Sequence, residues 1–193
     1  MSSDGKVRCA WTGIDADELY QRYHDAEWGF PVYGEQELFE RLSLEAFQSG
    51  LSWITILRKR EAFRAAFAHF DPAVVAGFGQ DDFDRLMADA GIVRNRLKIN
   101  ATIRNARALL ALPDGVTLGS LIADHAPAVK RPPDAPIPAK TLESAQLAKA
   151  LKKLGFAFVG PTTAYAMMQA IGVVNDHMPG CWLAAGQGQP GHD

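Results

Sequence analysis

The chain carries only two cysteines, and they lie at opposite ends of the foldable sequence: Cys9 in RCAWTGIDADELYQRYHD and Cys181 in DHMPGC. Each has a histidine near it, His24 after the first and His177 before the second. Two thiolates and two imidazoles make a full tetrahedral ligand set, and mixed sulfur and nitrogen donors favour zinc. If the four meet, any fold must bring its N-terminal and C-terminal segments to one point. Pro179 and Gly180 provide a turn that lets the second pair face the same centre. Such an ion, with no open position, would be structural and would contribute on the order of 10 kcal/mol in apparent binding energy. The spacing C-x14-H and H-x3-C is weaker than a double CxxC motif, so it equally allows two ordinary cysteines and two ordinary histidines. His69, His125 and His192 have no cysteine beside them and read as surface or packing residues.

With 193 residues, 48% of them hydrophobic, the chain can bury a sizeable core as one domain or two small lobes. No apolar run approaches the roughly 18 residues that a membrane span needs, and the polar start MSSDGKVRC lacks the apolar stretch of a secretory signal. The expectation is a cytoplasmic protein with reduced thiols, so that the cysteine pair is metal-bound, catalytic or merely buried rather than oxidised.

Helical periodicity dominates. The pattern predicts helices at 15–25, 35–48, 53–69, 72–78, 80–89, 95–112, 117–124, 141–154 and 161–171. Ser52, Asp71, Thr117 and Thr141 are suited to N-caps, and Pro72 and Pro161 to first-turn positions. Segment 127–140 has five prolines in fourteen residues and must cross the surface outside any regular helix. The fold class is all-α.

The net charge of −2 conceals an uneven distribution. Arg58, Lys59, Arg60 and Arg64 form one basic cluster; Arg94, Arg96, Lys98, Arg104 and Arg107 a second; Lys149, Lys152 and Lys153 a third. Each alone reads as a solvated helix face, whereas three together suggest a basic side.

In GEQELFERLSLEAFQSG, helical spacing aligns Leu38, Leu42, Glu45 and Ser49, which aims Glu45 at a core or a cleft. A carboxylate so aimed needs a partner or a pocket. The plainer readings are an internal salt bridge or a helix that ends before Glu45. Gly50-Leu51-Ser52-Trp53 then sets an aromatic close by, although Trp53 also continues the core stripe Ile56, Phe63 and Phe67. Trp11, Tyr20, Tyr23 and Trp28 add to a dense aromatic set, and aromatic walls with one acid suit a flat, cationic or amine-bearing ring such as a purine. Further on, KALKKLGFAFVGPTTAYAMMQAIG reads as helix, glycine-bounded turn, helix. Gly155 and Gly160 let the backbone approach a ligand, and the helix starting at Pro161 offers free N–H groups at Thr162 and Thr163.

Taken together, GFAFVGPTTAYAMMQAIGVVNDH, YHDAEWG, LEAFQSGLSWITILRKREAFR and NDHMPGC resemble the DNA-3-methyladenine glycosylase I family, within the helix-hairpin-helix DNA glycosylases. The resemblance runs from Cys9 to about Cys181. It implies a single glycosylase unit over 1–193 made of two helical lobes in contact: one bearing zinc and built from both termini, the other holding the helix-hairpin-helix within about 35–172. It implies one structural zinc on Cys9, His24, His177 and Cys181. It also implies a base-recognising, catalytic acid at Glu45 and an aromatic base pocket of Trp11, Tyr20, Tyr23, Trp28 and Trp53. The DNA contacts it implies are a wedge at Gly50 and Leu51 and a backbone grip at Gly155, Gly160, Thr162 and Lys153. Where related glycosylases carry a catalytic aspartate, this run reads Val174-Asn175-Asp176-His177, with Asp176 one residue out of register. The implied activity is flipping out 3-methyladenine from double-stranded alkylated DNA and hydrolysing its N-glycosidic bond, with free 3-methyladenine as product, by a monomer that has no membrane association. Two rivals remain at the level of sequence: a zinc-stabilised helical DNA-binding module without catalysis, and a zinc hydrolase, which a saturated ligand set disfavours.

Overall fold

The structure is a computed structural model that describes residues 4–132 and 134–184. Among these residues every regular element is helical: α1 (Glu18–Ala26), α2 (Glu35–Gln48), α3 (Trp53–Ala66), α4 (Pro72–Ala76), α5 (Gln80–Ala88), α6 (Arg96–Leu110), α7 (Leu118–Ala123), α8 (Leu142–Lys153) and α9 (Pro161–Ala170), with short 3-10 turns at Ile14–Ala16 and Ala68–Phe70. None of these helices is long and apolar enough to cross a membrane. The expected all-α class is what the chain adopts. His192 lies outside the described residues.

Local chemistry explains most helix starts. The side chains of Asp71, Thr117 and Thr141 accept first-turn N–H groups as expected. Asp17 and Asn95 do the same for α1 and α6. Ser52 stands at the N-cap of α3 but does not cap it, because its hydroxyl pairs with the Thr55 hydroxyl at 2.7 Å.

The expected helix 53–69 ends earlier. Ala68, His69 and Phe70 take φ of 50, 53 and 58°, a left-handed turn that costs side-chain-bearing residues energy. Core packing offsets that cost. The turn brings Phe70 back onto Phe67, with ring centroids 5.5 Å apart at 10°.

Helix α2 is the axis of the molecule. Leu38, Phe39, Leu42, Leu44, Ala46 and Phe47 are all buried, and α2 packs on α3, α6, α7 and α9. The main core gathers apolar side chains from α2 through α9. A second cluster holds Ile14, Tyr20, Tyr23 and Leu57. A third joins Cys9 to Cys181 and Leu183, with Trp11, Trp28, Phe30 and Trp182 against it. The two smaller clusters tie the terminal segments to the α2–α3 edge of the main core.

One close crossing fixes that junction. The Gly29 N–H donates to the Ala170 carbonyl at 3.1 Å. Gly172, at φ +72°, passes so near that a Cβ there would stand 2.4 Å from the Gly29 oxygen. Only glycine fits both demands.

The first basic cluster is not a free surface. Arg58 pairs with Asp17, Arg60 with Glu27, and Arg64 with Glu40 and Glu61, while Lys59 donates to the Ala90 and Gly91 carbonyls. In the second, Arg104 donates to Gly155, Arg107 to Ala76 and Phe78, and buried Lys98 to two carbonyls of the α2 end. Sequence charge runs therefore overstated the basic side, because acids and helix ends distant in sequence fold back onto them.

Candidate functional site: an aromatic cavity beside a Cys-His cluster

Between the terminal clusters and the main core lies a cavity of about 360 Å³. Its walls come from the N-terminal segment (Trp11), α1 (Tyr20, Tyr23), the segment after it (Trp28), α2 (Glu45, Gln48), α3 (Trp53) and α9 (Ala166, Gln169), closed by Ile137, Asp176 and Met178. That volume sits at the small end of ligand pockets. The five aromatics and the acid singled out from the sequence all line it. Gln48, Ile137, Ala166, Gln169 and Met178 were not anticipated.

The rings form a continuous wall. Trp11 tilts against Tyr20 at 5.1 Å and stands edge-on to Trp28 at 4.9 Å, and Tyr23 tilts against Trp53 at 5.1 Å. Helix α2 runs past Glu45, which is 5% exposed and has no hydrogen-bond or ion-pair partner among the described residues. Neither of the plainer sequence readings holds, since the helix does not end early and no salt bridge forms. Burial pushes the Glu45 carboxyl up to about 8, with Arg41, one turn earlier on α2, acting in the opposite direction. The hydroxyl of buried Tyr23 has no hydrogen-bond partner among the described residues either, and its acidity is suppressed first by burial and then by Glu45. The Trp53 indole nitrogen is also buried without a partner. Buried polar groups are normally satisfied, so the unpaired Trp53 nitrogen, with the Glu45 carboxyl and Tyr23 hydroxyl free of protein partners beside it, equips this cavity for a polar, planar ligand.

Asp176 differs. Its carboxylate accepts from Tyr165 Oη at 2.6 Å, Gln169 Nε2 at 2.8 Å and Arg131 Nε at 2.7 Å. Three donors hold it as an anchor that pins the proline-rich crossing, through Arg131, to α9.

Behind the aromatic wall, Cys9, His24, His177 and Cys181 come together, all buried, with their ligand atoms within 4.8 Å of one another. Cys9 Sγ lies 3.5 Å from His177 Nδ1, and Cys181 Sγ lies 3.5 Å from His24 Nε2 and 3.6 Å from His177 Nδ1. The other His24 nitrogen meets Asp25 Oδ1 at 2.9 Å, and Asp25 is itself held by Arg8 and Trp182. An orienting carboxylate behind a histidine is the usual outer support of a metal ligand. Burial pushes the Cys9 thiol up to about 12 and the His177 imidazole down to about 4. Both shifts belong to a dry site, where a Cys9 thiolate forms only beside a compensating cation. The four residues can hold a metal.

A third region surrounds the turn between α8 and α9. Gly155 takes φ +97°, as a left-handed turn requires. Gly160 occupies the N-cap of α9, whose first turn has no side-chain cap and is open at exposed Thr162. A groove beside it is lined by Arg104, Lys149, Lys152, Phe158 and Gly160. Lys153, named from the sequence, is exposed next to this groove but does not line it; Lys149 and Lys152 do. The spacing 149, 152, 153 showed the face but not which two of the three lysines turn to the groove. Gly50 and Leu51 form the exposed tip between α2 and α3, with cavity residues Gln48 and Trp53 on either side, and Leu51 is 41% exposed.

A family model described as methyladenine glycosylase matches residues 11–184. The chain belongs to the methyladenine glycosylase family. It is 48% identical over 179 residues to DNA-3-methyladenine glycosylase 1 of Escherichia coli (strain K12), covering 90% of this chain and 95% of that relative. It is 45% identical to DNA-3-methyladenine glycosylase of Haemophilus influenzae, covering 91% and 96%. Among solved structures, a crystal structure of 3-methyladenine DNA glycosylase I superposes with a TM-score of 0.85 at 46% identity, covering 91% of this chain and 98% of that one. A structure described as the basis of 3-methyladenine recognition by the Staphylococcus aureus enzyme gives 0.81 at 32% identity, covering 92% and 95%. The chain thus shares the all-helical fold of these solved relatives, with α8 and α9 joined by the glycine-bounded turn at 155–160.

Proposed function

We propose that the chain is a base-excision repair enzyme that takes 3-methyladenine out of double-stranded alkylated DNA and hydrolyses its N-glycosidic bond. The observation that carries this reading is the partnerless set of Glu45, Tyr23 and Trp53 in a ring-walled cavity sized for one small planar ligand. An adenine alkylated at N3 is cationic while still attached to the sugar, so it leaves with little acid catalysis. The enzyme's work is to extrude the nucleotide, hold it and let water attack C1′. Stacking on aromatic walls favours the cation by about 0.5–2 kcal/mol. Glu45 accepts from the exocyclic amine, where guanine would present a repelling carbonyl oxygen, and so acts as base reader. Trp11, Tyr20, Tyr23, Trp28 and Trp53 form the base-binding wall.

The remaining parts follow from placement. Leu51, on its glycine-bounded tip at the cavity rim, fills the gap left by the extruded base. The α8–α9 hairpin grips the backbone through the amides at Gly155, Gly160 and Thr162, with Lys149, Lys152 and Lys153 around it, contacts that set register without reading sequence. Two lobes are read here: one clipped together from both termini, one built of α2–α9. Zinc is the metal read for Cys9, His24, His177 and Cys181. A tetrahedral zinc with the usual ligand distances separates sulfur from nitrogen by about 3.5 Å, and the three Sγ···N distances of 3.5, 3.5 and 3.6 Å fit that edge. Four protein ligands make it a structural clip. A monomer acting in the cytoplasm on chromosomal DNA completes the reading.

The test is release of labelled base. Methylated duplex DNA incubated with the purified protein should yield free 3-methyladenine and abasic sites. DNA binding without any released base would instead establish the non-catalytic module.

A further inference from the structure

Helix α6 carries a group that the reading above leaves without a role. Lys98 is buried, and its ammonium donates to the Phe47 carbonyl at 2.7 Å and the Ser49 carbonyl at 2.6 Å. These carbonyls belong to the C-terminal end of α2, where orphan acceptors and the helix dipole favour a cation. Immediately beyond them comes the Gly50–Leu51 tip. The same ammonium lies 5.8 Å from the centre of the Phe158 ring. Phe158 is a hairpin residue, 39% exposed, held at φ +60°. A bulky residue in that backbone region is strained and persists only where its surroundings impose it.

Two turns further along α6, about 10 Å by helix geometry, the hairpin is held directly. The Asn105 amide donates to the Ala157 carbonyl at 3.0 Å and accepts from the Ala157 N–H at 2.7 Å. Arg104 Nε donates to the Gly155 carbonyl at 2.7 Å. A single rigid helix thus fastens both exposed loops, each with an apolar tip, Leu51 on one and Phe158 on the other. Lys98 lines neither the aromatic cavity nor the Cys-His cluster.

We propose that Lys98 is a positioning residue for duplex engagement, holding the Gly50–Leu51 tip in register with the 155–160 hairpin so that both meet one stretch of DNA together. The inference rests on the base-excision reading and deepens it by separating extrusion of the nucleotide from recognition of the base. A lysine placed only to fill space would be replaceable by methionine, whose stem has similar reach. Its amine is needed only if the two carbonyls must be fixed.

The test compares Lys98→Met with the wild-type protein in two measurements: excision from a methylated duplex, and binding of free 3-methyladenine followed by tryptophan fluorescence. Loss of a charged hydrogen-bond donor should lower kcat/KM on the duplex by about tenfold or more, with affinity for the free base unchanged and partial rescue by Lys98→Arg. Combined with Leu51→Ala, Lys98→Met should have little further effect, since both act through one tip. Should Lys98→Met fail to fold, Lys98→Leu, which likewise lacks a donor, replaces it in each comparison. Wild-type excision in the variant, a parallel loss of free-base affinity, or independent losses from Lys98 and Leu51 would each overturn the proposal. Absence of base release by the wild-type protein would instead bring down the base-excision reading itself.

Discussion

Trp28 stands edge-on to His177, with ring centroids 4.7 Å apart at 84°. One ring lines the cavity and the other belongs to the Cys-His cluster, so the cluster and the cavity share a wall. Trp11 repeats the relationship with His24, edge-on at 5.0 Å. The cluster therefore fixes two of the five aromatic walls as well as the chain ends.

If the cluster holds zinc as proposed, its removal should act on stability and on base binding together. Stripping the protein with a chelator, or replacing Cys181 by serine, is expected to lower the melting temperature by ten degrees or more, on the order of several kcal/mol for a structural site. Free 3-methyladenine should bind more weakly under the same conditions, and added zinc should restore both in the chelated protein. A melting temperature indifferent to metal removal would refute the clip.

The pH dependence of stability has a definite sign at Glu45. Its folded value is pushed up to about 8 from an ordinary 4.5. Below 4.5 the carboxyl is protonated whether the chain is folded or not, so it imposes no cost. Between 4.5 and 8 the unfolded chain releases the proton and the folded chain keeps it, so stability falls as pH rises through this window, by on the order of a few kcal/mol. Glu45→Gln removes that dependence, and thermal melts of the two proteins should diverge in the mutant's favour from pH 5 towards pH 8. Conversely, excision needs the carboxylate to meet a cation, so kcat/KM should rise with pH towards the free-enzyme value near 8. A constant melting difference together with a flat kcat/KM profile would contradict the burial of this acid.

The groove beside the α8–α9 hairpin gives a salt prediction. Affinity for duplex DNA should fall as salt rises, and replacing both Lys149 and Lys152 by alanine should reduce the log–log slope by about 2, roughly one for each phosphate contact. The loss should be the same for alkylated and undamaged duplexes. Titrations that give an unaltered slope would remove these lysines from the interface.

Much of this arrangement is legible in the sequence because it depends on local periodicity or on rare residue types. The 38, 42, 45 spacing places Glu45 inside, and the scarcity of cysteine, each with a histidine near it, pairs Cys9 with His177 across the whole chain. What escaped depends on partners far away in sequence. Ser52 had the right identity for a cap, yet a neighbouring hydroxyl competed for it. Arg58, Arg60 and Arg64 read as a basic face because Asp17, Glu27 and Glu40, which neutralise them, lie on other elements. Lys98 looked like one more surface charge, and only the packing of α6 on α2 reveals what its amine holds. Ile137 sits in a proline-rich stretch with no periodicity to read, although Arg131 fastens that stretch to Asp176 and lays Ile137 on the cavity.

The central claim is that an unpaired Glu45 carboxyl in a ring-walled cavity receives the alkylated base. Calorimetric titration of free 3-methyladenine into the wild-type protein and into Glu45→Gln tests it most directly. The account predicts one saturable site in the wild type and at least about tenfold weaker binding in the variant, as expected for loss of a charged hydrogen-bond acceptor, with the fold intact by melting. Equal affinity in the two proteins would contradict it.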